Sequence, residues 1–131
     1  MTFENTKIIY LESSDFKDNQ LIYNKKPVDT GMFFIMIQGD YCGYCSKAKP
    51  AFIAAANSIG TLDLKKGVIF ATIHSDSKHE TEVALGRTFT KISGINIKGI
   101  PAFILYNAAT KKFTEYPGQR TTQGFLEFLK G

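Results

Sequence analysis

Apolar residues fall along this chain in two patterns: short continuous runs of strand length, and longer stretches with apolar positions three and four apart. Lys7 to Leu11 (Lys-Ile-Ile-Tyr-Leu) reads as a first strand. Ser13-Ser14-Asp15 supplies capping residues, so a short helix is expected around Asp15 to Leu21. Asn24 to Gly31 holds Pro27 and Gly31 and reads as a loop. Met32 to Gln38 is apolar almost throughout, as expected for a central strand covered on both faces. Ser46 to Ile59 places Ala48, Ala51, Phe52, Ala55, Ala56 and Ile59 near helical spacing, and Gly60 can end that helix. Pro50 lies inside it, where it removes a backbone donor and is expected to kink the helix.

Gly67 to Ile73 is a second buried strand. His79 to Phe89 suits a helix whose inner side carries Val83, Leu85 and Phe89, and Ile95 and Ile97 fall in a connecting segment. Pro101 opens a strand, Ala102 to Tyr106; Asn107 to Thr110 makes a turn, and Lys112 to Tyr116 returns as its antiparallel partner. Gly118 breaks the chain before a last helix, capped by Thr121 or Thr122, with Phe125, Phe128 and Leu129 inward. The resulting order, β-α-β-α-β-α-β-β-α, predicts an α/β fold: a mixed sheet with helices on both faces and a C-terminal hairpin and helix.

Composition bounds this picture. The 131 residues are 44% apolar and suit one domain with one core, residues 1–131, in which 1–31 form an N-terminal β-α segment. No apolar run nears the roughly 20 residues of a membrane-spanning helix. The start, Met1-Thr2-Phe3-Glu4, lacks the basic and apolar blocks of a secretion signal, so a cytoplasmic protein is expected. The net charge of +4 is dispersed over short pairs such as Lys65-Lys66 and Lys111-Lys112, and no nucleic-acid arm is indicated. Lys47 and Lys49 are expected to point to water, the alternative being that they help to lower the Cys42 pKa, and His74 and His79 to be surface or loop residues beside Asp76 and Glu80.

The candidate chemistry rests on two cysteines, Cys42 and Cys45, in Cys42-Gly43-Tyr44-Cys45. A bridge between them closes almost no chain, so chemistry is a better reading than stapling. Such a pair is also half of a zinc site. Completing it would need His74 and His79, which lie too far along the chain, so no metal is expected. The pair sits where a strand ends and a helix begins. There the unpaired N–H groups and the helix dipole favour a thiolate. Cys42 is then the nucleophile, and Cys45 resolves the mixed disulfide it forms. Tyr41 and Tyr44 flank the pair and could rim it for an incoming peptide.

Three features together resemble the thioredoxin superfamily, thioredoxin itself and the domains of protein disulfide isomerase: Cys42-Gly43-Tyr44-Cys45 after a buried strand with Pro50 beyond it; Gly99-Ile100-Pro101-Ala102-Phe103-Ile104-Leu105-Tyr106; and Gly118 followed by the amphipathic helix ending in Glu127-Phe128-Leu129. The resemblance runs from Met32 to Leu129. It implies a cis Pro101 facing the dithiol and an Ile100 backbone able to pair with an extended client, with Tyr41, Gly43 and Tyr44 completing the client-facing set. It implies a thiol–disulfide oxidoreductase acting as a monomer on protein disulfides, recycled by a reductase or oxidase, with no cofactor beyond its own disulfide. The chain departs from the family pattern at Tyr41, usually tryptophan, at Met36, usually a buried Asp or Glu, and at Thr72, where a lysine often stands. These departures leave two alternatives open: an isomerase or oxidase for a specific client, and a redox-inactive binding or assembly module.

Overall fold

An uninterrupted apolar run can be satisfied only by cover on both faces, and Met32–Gln38 (β5) lies at the centre of a five-stranded sheet, buried from Phe33 to Gln38. The computed structural model describes residues 3, 8–23, 26–27, 31–40, 42–58, 67–76, 80–97 and 99–130. Among them the main sheet has the order β1-β6-β5-β7-β8, with β1 Ile9–Tyr10, β6 Val68–His74, β7 Ala102–Asn107 and β8 Lys112–Glu115. β1, β6 and β5 run parallel; β7 and β8 are antiparallel to their neighbours. One face carries α1 (Gly43–Ser58) and α3 (Thr122–Lys130), and the other α2 (Glu80–Ser93). This is the mixed sheet expected from the pattern.

Strand alternation assigns residues to two cores. Phe34, Met36, Phe70 and Phe103 pack under α1 and α3 with Ala48, Phe52, Phe125 and Leu129. Phe33, Ile35, Ile37, Ile73 and Ile104 pack under α2 with Leu85 and Phe89. Phe34 is fully buried, with the rings of Phe52, Phe70, Phe103, Tyr116, Phe125 and Phe128 at 5.5–6.1 Å.

The N-terminal segment departs from expectation. Where a helix is predicted over Asp15 to Leu21, the chain makes a 3-10 turn, Ser13–Asp15, and then a hairpin of β2 (Phe16–Lys17) and β3 (Gln20–Tyr23). Asp18 and Asn19 both hold positive φ, 52° and 61°, which a helix forbids and a two-residue hairpin turn requires. A third strand, β4 (Lys26–Pro27), pairs with β3 inside the stretch expected to be loop; its proline stands at the sheet edge, where a missing donor costs little. The start of the first predicted strand at Lys7, the helix end at Ile59-Gly60, and His79 lie outside the described residues.

The register gathers three chain segments at one end of the sheet. Gln38 closes β5 opposite His74 of β6, and Ile37 lies opposite Ala102 of β7. The links that follow β5 and β6, and the Ile100-Pro101 link before β7, therefore meet there. Ser75 ties two of them, donating its N–H and its hydroxyl to the Gln38 carbonyl at 2.9 and 3.0 Å.

Candidate active site

The helix α1 begins directly after Cys42. The Ser46 N–H donates to the Cys42 carbonyl at 3.1 Å, and the Cys45 N–H donates to the Cys42 sulfur at 3.1 Å. Cys42 thus holds the N-cap position, with its sulfur in the place of an ordinary capping oxygen. Cys42 and Cys45 are joined in a disulfide with their Cα atoms 5.2 Å apart. Cys45 is 0% exposed, packed with Met36, Ala48 and Phe52, whereas Cys42 is partly open to solvent.

Gly43 is exposed, and a side chain built on it would meet nothing within 4 Å. Tyr44 is 69% exposed, with the Lys47 ammonium 5.6 Å from its ring centre. From the other side come Ile100, an exposed apolar side chain, and Pro101, which is buried; the peptide bond between them is cis. The Cys42 sulfur lies 3.7 Å from the Ile100 carbonyl oxygen, and Arg120 donates to the Pro101 carbonyl at 3.4 Å. Pro50 sits within an α1 that runs unbroken from Gly43 to Ser58. Tyr41 lies outside the described residues.

One expectation about charge is overturned. Lys47 is exposed, but Lys49 is only 2% exposed, with its ammonium 5.7 Å from the centre of the Phe3 ring. Phe3 covers the helix face that the local pattern left open: its ring also packs on Phe52, and its N–H is held by the Tyr10 hydroxyl. His74 stands beside Asp76 as expected, but partly buried at a strand end. Its side chain is 13% exposed at the end of β6, with Nε2 3.0 Å from an Asp40 oxygen and 3.3 Å from an Asp76 oxygen. Nε2 stands within ion-pair distance of both carboxylates but meets neither at a hydrogen-bonding angle.

The sequence pattern places Asp76 beside His74 but assigns no role to it or to Asp40. Asp76 accepts the Asp40 N–H through both carboxylate oxygens, at 2.8 and 3.0 Å, and so fixes the turn two residues before Cys42. Gly39 lets the two approach closely: a Cβ there would lie 2.9 Å from Asp76 Oδ2 and 3.1 Å from the Ile100 side chain, and both side chains would have to shift. Asp40, His74 and Asp76 offer ligand atoms within 4.8 Å of one another, a set of types that can hold a divalent cation, and one that does not include the cysteines. The only sequence signal for this cluster is position, each residue standing at or just after a strand end.

Met36 is fully buried in the core beneath Cys45, where the family pattern has a carboxylate. Thr72 is also fully buried, and its hydroxyl donates to the Met36 carbonyl at 2.7 Å. Chemically, the site presents a solvent-accessible sulfur at a helix N-terminus, a buried partner sulfur, and an apolar ledge at Ile100.

No protein-family model matches the chain. It is 33% identical over 135 residues to the thioredoxin-like protein 453L of Invertebrate iridescent virus 6, covering 95% of this chain and 93% of the viral one. It is 27% identical over 99 residues to a protein disulfide-isomerase of Medicago sativa, covering 74% of this chain but only 17% of that protein's length. Among solved structures it resembles human ERp44 with a TM-score of 0.67 at 16% identity, over 98% of this chain and 30% of that one, a likeness that bears on the fold alone. With that relationship to a thioredoxin-like protein along nearly its whole length, and with this fold around a Cys-x-x-Cys disulfide, the chain belongs to the thioredoxin superfamily.

Proposed function

We propose that the protein is a thiol–disulfide oxidoreductase that reduces or exchanges protein disulfides through Cys42 and Cys45. The observation that carries this reading is the Cys42 sulfur itself: partly exposed, receiving the Cys45 N–H, bonded to a buried partner and 3.7 Å from the Ile100 carbonyl. In the reduced protein the Cys42 thiolate attacks a client disulfide. A Cys42–client disulfide forms, and one client thiolate leaves and takes a proton from water. Cys45 then loses its proton to solvent and attacks the Cys42 sulfur. The Cys42–Cys45 disulfide forms, the second client thiolate leaves, and two electrons have passed to the client. Ile100 and Pro101 would seat an extended client strand beside the sulfur, with Gly43 leaving room and Tyr44 and Tyr41 rimming it. The reading takes the chain as one redox domain with β1–β4 as its N-terminal segment. It goes with a cytoplasmic setting, where thiols are kept reduced.

Dithiothreitol-driven reduction of a test protein such as insulin checks it. Activity is expected in the native protein and absent in Cys42→Ser. An intact fold without dithiol–disulfide activity would refute the reading in favour of a binding module.

A second direction of electron flow fits the Cys42-Gly43-Tyr44-Cys45 centre, whose Gly-Tyr pair differs from that of thioredoxin. On that reading the protein is an isomerase or oxidase for a particular client. Glutathione titration separates the two: a midpoint near about −270 mV marks a reductase, and one between about −180 and −120 mV marks an isomerase or oxidant.

A further inference from the structure

A histidine set between two carboxylates ordinarily gives its ring N–H to one of them. At the end of β6 this does not happen. His74 Nε2 lies 3.0 Å from Asp40 Oδ1 and 3.3 Å from Asp76 Oδ1, yet it is closed off from solvent and makes no hydrogen bond with a described residue. A single N–H has one direction and cannot serve two oxygens; here it serves neither. A neutral imidazole carries a lone pair on one ring nitrogen, and a lone pair facing two carboxylate oxygens calls for a cation among the three. The spacing suits one. Donors held about 2.0–2.2 Å from a zinc-type ion lie roughly 2.8–3.1 Å apart at right angles and roughly 3.3–3.6 Å apart at tetrahedral angles. The separations of 3.0 and 3.3 Å fall in those two ranges. All three ligand atoms lie within 4.8 Å of one another, and the Asp40 side chain, 53% exposed, has room to turn and close the set. Asp76 can keep the Asp40 N–H meanwhile, because each carboxylate oxygen has two lone pairs.

A second observation comes from the neighbouring strand. Gln38 is the register partner of His74, on the same face of the sheet, and is only 1% exposed. Its Oε1 is buried with no hydrogen-bond partner among the described residues. The ends of β5 and β6 thus hold two unsatisfied buried polar atoms beside two carboxylates. An amide oxygen there is an acceptor for a water carried by an ion.

We propose that Asp40, His74 and Asp76 form a binding site for a divalent transition cation of the zinc type, with a water completing the coordination. An imidazole ligand suits zinc and its neighbours, whereas magnesium and calcium take oxygen. The site uses neither cysteine sulfur and does not rest on the redox reading. His74 joins two aspartates in it, rather than the cysteines with which a zinc site was weighed from the sequence. The ion neutralises the two carboxylates and ties the link after β5 to the link after β6, at the turn that leads to Cys42.

The test uses the full chain in its disulfide form, in which neither sulfur can bind metal. Isothermal titration with zinc chloride is expected to show one ion per chain, and magnesium chloride no binding over the same concentrations. Asp40→Asn keeps the backbone N–H that Asp76 holds and removes a ligand charge; His74→Gln removes the imidazole. Each is expected to weaken zinc binding at least about tenfold. His79→Gln, which replaces the chain's other histidine, is expected to leave it unchanged. Zinc should raise the unfolding temperature of the native chain, reversibly on adding a chelator, and should fail to do so in Asp40→Asn. The nitrogen-15 spectrum of the imidazole rings needs no variant: zinc should move the Nε2 resonance of His74. Absence of zinc binding, an unmoved His74 Nε2, or weakening by His79→Gln in place of His74→Gln overturns the proposal. So does binding of several ions per chain that neither Asp40→Asn nor His74→Gln weakens, which marks adventitious surface binding only. None of these measurements uses a dithiol or a client, so loss of insulin reduction with these results intact refutes the proposed activity and leaves the cation site standing.

Discussion

Reduction of the Cys42–Cys45 bond leaves the Cys42 sulfur at the start of α1 with the Cys45 N–H directed at it from 3.1 Å. The free energy that this placement gives a thiolate can be worked out and measured. A hydrogen bond to a charged group contributes about 1.5–3 kcal/mol. The helix N-terminus adds about 0.3–1 kcal/mol for an anion. Partial exposure of Cys42 keeps the opposing desolvation small. The sum is about 2–4 kcal/mol, and at about 1.36 kcal/mol per pH unit it should bring the Cys42 thiol from about 8.5 to roughly 5.5–7. The titration belongs in Cys45→Ser, so that Cys42 titrates alone rather than as half of a coupled pair. Rate of iodoacetamide alkylation against pH, or thiolate absorbance near 240 nm, reports the midpoint. Linkage supplies a second readout. A thiol lowered in the folded state contributes stability that is present above about pH 8.5 and lost as the pH falls through roughly 7 to 5.5. Urea unfolding of reduced Cys45→Ser should therefore show that pH dependence, and the Cys42→Ser/Cys45→Ser double variant should lack it. A Cys42 midpoint at 8 or above would show that the helix start does not act on the sulfur, and the assignment of Cys42 as nucleophile would fail with it.

Other consequences follow from the packing. Phe34→Ala empties the centre of a seven-ring cluster and should cost about 3–5 kcal/mol in urea unfolding; a loss under about 1 kcal/mol would mean the cluster can collapse around the gap. Asp76→Ala removes the acceptor of the Asp40 N–H and should cost about 1 kcal/mol, the site being partly exposed, with faster amide exchange at Asp40; unchanged exchange there would contradict its role in fixing the turn before Cys42. Burial, and secondarily the Glu127 carboxylate, hold the Tyr116 phenol above its ordinary 10.0. The stability this contributes is full below about pH 10 and declines as the pH rises through the higher folded value, so alkaline unfolding should be less pH-dependent in Tyr116→Phe than in the native chain.

The parts of this protein legible in the sequence are those whose cause is local. Met32–Gln38 is apolar nearly throughout, and an element of that kind has nowhere to go but the middle of a sheet. The spacing of Phe125 and Leu129 decides which side of α3 faces in, and Thr121 caps it through the Gly124 N–H at 3.0 Å. The two cysteines three apart, at a strand-to-helix junction, carry their own chemistry. Local reading failed where two signals competed. Ser13-Ser14-Asp15 promises a helix start, but Asp18 and Asn19, side by side, tolerate positive φ and turn the chain into a hairpin instead.

What only the tertiary structure decided is the environment of charge. Lys49 lies between Ala48 and Pro50 and by its neighbours alone could reach water, until Phe3, more than forty residues earlier, closes over it. His74 and Asp76 meet Asp40 because β5 and β6 run parallel in a register that ends both strands together. Solvation and Coulomb interaction depend on distance through space, and sequence spacing records only distance along the chain. The dithiol could therefore be read from the chain itself, while the buried lysine of α1 and the acid-and-histidine cluster at the strand ends belong to the fold.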